Sequence, residues 1–75
     1  PIFYPNPSHS VINVKADLLF DYGKIIITDL YGKQVIQQNL GLGNNSINVS
    51  SLAKGMYLLT ILTSEGKQTE KIIIE

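Results

Sequence analysis

Seventy-five residues allow one domain around a small core. Six lysines balance six acids and there is no arginine, which excludes the basic stripe of forked guanidinium donors that nucleic acids and anionic membranes select. No cysteine is present, so no disulfide framework holds the chain. Apolar runs such as Ile25-Ile26-Ile27 and Ile72-Ile73-Ile74 are far too short for membrane insertion.

In chain order, Ile2-Phe3-Tyr4 reads as a short opening strand, followed by Tyr4-Pro5-Asn6-Pro7. The two prolines fix φ and bias the residues before them toward extended geometry. Val11 to Ala16 alternates, which places Ile12, Val14 and Ala16 on one face. Lys24 to Leu30 and Lys33 to Asn39 form the next two strands, joined by a tight turn around Tyr31-Gly32. Asn45 to Val49 follows, with Ile47 and Val49 facing one way. Ser50 to Lys54 has the makings of one short turn capped by Ser50 or Ser51. Met56 to Thr63 then presents Tyr57, Leu59 and Ile61 to one face, Glu65-Gly66 signals a two-residue hairpin, and Lys67 to Glu75 returns. No window of ten residues sustains a helical period. The expectation is all-β.

Leu52-x-x-Gly55-x-Tyr57 refines the topology. In immunoglobulin-like sandwiches a tyrosine near the start of a late strand hydrogen-bonds back to the preceding corner. Leu52 fills the core beneath it, and Gly55 permits the sharp entry. The reading is therefore an Ig-like Greek-key β-sandwich of six or seven antiparallel strands. A jelly-roll variant or a small barrel satisfies the same strand spacing.

Chemistry-bearing residues do not converge. His9 between Ser8 and Ser10 lacks the third group that orients a catalytic base. Asp17, Asp21 and Asp29 are too widely spaced for a compact calcium loop, and each stands at a turn where aspartate bonds its own backbone. No enzyme, metal or cofactor is expected. Phe3, Tyr4, Phe20 and Tyr22 are too dispersed to show a shared sugar-stacking face. Strand alternation instead sends Ile26 and Ile73 away from the core, with Met56 or Leu58 on the same outer side. That patch, or an edge strand guarded by Lys24, Lys33, Lys67 and Lys71, offers a surface for a partner or for a dimer.

Four segments in fixed order carry a family resemblance. They are Tyr4-Pro5-Asn6-Pro7-Ser8, then Ile27-Thr28-Asp29-Leu30-Tyr31-Gly32-Lys33-Gln34-Val35, then Leu52-Ala53-Lys54-Gly55-Met56-Tyr57-Leu58-Leu59, and finally Lys71-Ile72-Ile73-Ile74. Each is weak alone, but the set covers nearly the whole chain. It resembles the C-terminal sorting domain of the type IX secretion system, type A. The resemblance implies a non-catalytic signal, the last domain of a larger exported precursor, carried with its cargo through periplasm and outer membrane. Its implied partners are the outer-membrane translocon and a sortase-like peptidase that removes it as the cargo is attached to the cell surface. Recognition is expected at Lys71, Ile73 and Ile74 or at Tyr4, Pro5, Asn6 and Pro7. Asp29, Gly32, Leu52, Gly55 and Tyr57 are expected to be structural. The alternative is an Ig- or fibronectin-like adhesion or carbohydrate-binding accessory module of an extracellular enzyme.

Overall fold

A computed structural model of the protein describes residues 2–3, 10–16 and 22–75. The alternating segments form β1 (Ile2–Phe3), β2 (Val11–Ala16), β3 (Gly23–Thr28), β4 (Gln34–Asn39), β5 (Gly43–Asn48), β6 (Gly55–Thr63) and β7 (Gly66–Ile74). They build a three-stranded sheet in the order β1-β2-β5 and a four-stranded sheet in the order β4-β3-β6-β7. Every pairing is antiparallel. The chain changes sheet after β2, after β4 and after β5, so β2 pairs with β5 and β3 with β6 across long stretches of sequence. That interlock is the Ig-like Greek key anticipated from the sequence.

Period-two alternation assembles the core. Ile12 and Val14 of β2, with Ile47 of β5 and Val49 just after it, face Ile25, Ile27, Leu59, Ile61, Ile72 and Ile74 of the other sheet in one buried cluster. Leu52 packs against this cluster half-buried, as its place beneath the corner requires. Isoleucine and valine dominate because branched side chains fit a pleated surface and lose little χ1 freedom there. A second link between the sheets is polar: the Gln38 Nε2 of β4 donates to the Ser46 carbonyl of β5 at 3.1 Å.

Several boundaries differ from the sequence expectation. Leu30 is not in β3 but 61 % exposed in the turn that follows. The last hairpin turns on Ser64-Glu65, because Thr63 pairs with Gly66, which already belongs to β7. Between β5 and β6 the backbone cap comes from Asn48, whose Oδ1 accepts from the Ser50 N–H at 2.9 Å and the Ser50 hydroxyl at 2.6 Å. Ser50 is thus the capped residue rather than the cap. A register shift between Ile27 and Thr28 marks a bulge where β4 begins.

Candidate functional site: the terminal strand and its sheet face

The corner before β6 sets the position of everything downstream. Gly55 enters the strand at φ +149°, a conformation side-chain-bearing residues avoid, although a Cβ there would meet nothing within 4 Å. The requirement is therefore one of backbone geometry, not of space. Two residues on, Tyr57 is 8 % exposed and its hydroxyl donates to the Ala53 carbonyl at 2.7 Å. The ring fills the core while the polar tip closes the corner.

At the start of β4 the Asp29–Lys33 loop is equally built. Asp29 Oδ1 accepts from the N–H groups of Tyr31 and Lys33, both at 2.9 Å, and Gly32 adopts φ +86° between them. Asp29 is thus committed to its own backbone, which is the turn role expected of it. Tyr31 is 97 % exposed at its tip. Among the described residues, no group of three metal-ligating side chains converges.

β6 and β7 are nine residues each and pair from Gly55↔Ile74 to Thr63↔Gly66. Alternation sends Gln68, Glu70, Ile72 and Ile74 to the inner side of β7, and Lys67, Thr69, Lys71 and Ile73 to the outer side. Only Ile72 and Ile74 are buried; Gln68 and Glu70 stay exposed although Ile61 and Leu59 opposite them are core. Four strands face three, and among the described residues β7 reaches the core cluster through Ile72 and Ile74, at its C-terminal end.

The recognition candidates therefore separate. Ile73, 39 % exposed, and the exposed Lys71 lie on the outer side. Ile74 differs from them: it is 2 % exposed within the core cluster, because it shares the inward register of Ile72. Tyr4, Pro5, Asn6 and Pro7 lie outside the described residues.

The outer face of the four-stranded sheet continues beyond β7. Met56, 40 % exposed, is registered opposite Ile73, and Leu58 stands opposite Lys71. Leu58 is next to Thr28, and Ile26 is opposite Thr60. Ile26, Leu58 and Leu62 are half-buried among their neighbours. The outward course of Ile26, Ile73, Met56 and Leu58 follows the alternation read from the sequence. Among the described residues the tyrosines make no comparable surface, since Tyr22 and Tyr31 flank opposite ends of β3 and Tyr57 is in the core.

Sequence reasoning missed Asn45. It is the one buried polar residue among those described, 9 % exposed, with its Nδ2 donating to the carbonyls of Val14, Gly41 and Gly43 and its Oδ1 accepting from the Gly41 N–H at 2.7 Å. The signal was available: Asn45 occupies the same alternate positions as Ile47 and Val49.

Compared with known families, residues 2–75 match the family described as the secretion system C-terminal sorting domain. No curated protein matches the chain.

Proposed function

The chain belongs to the secretion system C-terminal sorting domain family, and from that premise we propose that its type IX machinery reads the outer side of β7, with Lys71 and Ile73 as the residues presented. Domains of this family are non-catalytic signals of type IX secretion. The tail directs export across the outer membrane to the cell surface or the medium and is then cleaved.

The finer reading is that residues 1–75 act as one sorting unit at the end of a longer precursor and have no catalytic activity of their own. The outer-membrane translocon binds the β7 face, and a sortase-like peptidase cuts upstream of the sandwich. Tyr4-Pro5-Asn6-Pro7 is a second contact for the same machinery. A dimer through the same edge or patch would compete with the translocon for it.

One observation supports the choice of β7. Within three consecutive isoleucines the two outer ones are 1 % and 2 % exposed, while the middle one is 39 % exposed beside Met56 at 40 %. A large apolar side chain held outward by two buried anchors is presented in a fixed place. The test is Ile73→Asp in a reporter carrying this tail, expressed in a host with type IX secretion. The expected result is a folded tail whose reporter stays in the periplasm; normal surface display would rule out this contact. No observation favours the adhesion or carbohydrate-binding reading.

A further inference from the structure

The chain has zero net charge, but the fold does not distribute that charge evenly. The outer face of the four-stranded sheet carries Lys24 on β3 and Lys67 and Lys71 on β7. It carries no acid. Among the described residues Asp29 lies in the β3–β4 turn, Glu65 in the β6–β7 turn, Glu70 on the inner side of β7, and Glu75 beyond it. The remaining outward strand positions are Gln34, Gln37 and Asn39 on β4, threonines, and the apolar residues Ile26, Met56, Leu58, Leu62 and Ile73.

Register gives this face a pattern. Lys24 is opposite Leu62 on one side, and Lys67 is opposite Leu62 on the other. Two ammonium groups therefore flank one leucine across three strands, with backbones roughly 10 Å apart at the usual strand spacing. Lys71 stands in the same relation to Leu58. Thr60 and Thr69, between these two rows, hydrogen-bond each other at 3.1 Å, so their hydroxyls are used within the sheet. Lysines therefore stand beside apolar side chains in both rows.

We propose that this face docks an acidic protein surface of the secretion machinery, one with carboxylates set to either side of an apolar centre, so that Lys24 and Lys67 bracket the contact at Leu62. The proposal rests on the sorting reading given above. Charge complementarity selects the partner: opposite charge steers association and rejects basic surfaces, while the half-buried leucines supply the apolar contact. A lipid surface fits less well. The chain has no arginine for bidentate phosphate contact.

The experiment uses a periplasmic reporter ending in this tail, in a type IX host, in three forms: unchanged, Lys24→Glu with Lys67→Glu, and Lys15→Glu. Lys15 is exposed on the other sheet and controls for net charge. The expected result is surface display of the unchanged and Lys15→Glu forms, and a loss of about tenfold or more in the paired reversal, as for a lost charge-complementary contact. Thermal melting checks the fold. If the reversal lowers the melting midpoint, Lys24→Gln with Lys67→Gln takes its place and must also reduce display. Equal display of folded paired variants overturns the docking surface and leaves the sorting reading intact. Absence of display from the unchanged tail removes both. Sedimentation of the unchanged fusion with phosphatidylglycerol vesicles, abolished by the paired reversal, would assign the face to lipid and overturn an acidic protein partner.

Discussion

Tyr57 and Asn45 stabilise the same sandwich by opposite means, and only one of them was legible in the sequence. Tyr57 follows a leucine and a glycine at fixed spacing, so its corner role could be read directly. The hydroxyl bond to Ala53 makes the expectation quantitative. Tyr57→Phe should cost about 1 kcal/mol for one hydrogen bond, and Tyr57→Ala about 3–5 kcal/mol for a core cavity. Chemical denaturation measures both, and an alanine variant within about 0.5 kcal/mol of the parent would place the ring outside the core. Asn45 was passed over because its partners are three carbonyls and one N–H brought together by the loop before β5, and no local motif encodes that meeting. Asn45→Ala should cost about 2 kcal/mol, since it leaves buried backbone groups without partners. A change near zero in the same measurement would mean that water replaces the amide without penalty.

At the scale of elements, strand identity followed from alternation, while strand ends depended on turn chemistry. The hairpin moved from Glu65-Gly66 to Ser64-Glu65 because glycine can serve as the first strand residue as well as a turn residue. Leu30 left its strand because Asp29 Oδ1 captures the two N–H groups that would otherwise continue the ladder. The terminal strand kept its predicted register, with Ile72 and Ile74 inward and Ile73 outward. What the alternation did not show was that Gln68 and Glu70 face inward yet remain uncovered, a consequence of four strands opposing three. This leaves the C-terminal anchor to two isoleucines. Ile72→Asp should therefore unfold the domain, because a carboxylate buried there finds no counter-charge. Ile73→Asp should move the melting midpoint by no more than about 4 °C, as for an exposed position in a domain of this size. Circular dichroism melts separate the two, and the reverse ranking would shift the register by one residue.

For the whole molecule, glycine punctuation and six alternating segments were enough to identify a sandwich, and Leu52, Gly55 and Tyr57 were enough to choose its Greek key. Strand order was not legible. That β4 joins β3 while β5 joins β2 is decided by long-range pairing and by the shared core, neither of which leaves a local signature. The outer face of the larger sheet was half legible, since the outward isoleucines could be read from alternation. Grouping Lys24, Lys67 and Lys71 on that face required the register. Together these features describe a small sandwich with zero net charge and a patterned outer sheet face, in keeping with a domain that is recognised and then removed.

The most direct test of that account follows a periplasmic reporter in a host with type IX secretion, with and without residues 1–75 at its C-terminus, by protease accessibility on intact cells together with mass spectrometry of the surface form. The account predicts that the tailed reporter reaches the surface or the medium and that its mature form lacks the tail, while the untailed reporter remains in the periplasm. Equal surface display of both reporters, or a surface form that retains the whole sandwich, would contradict it.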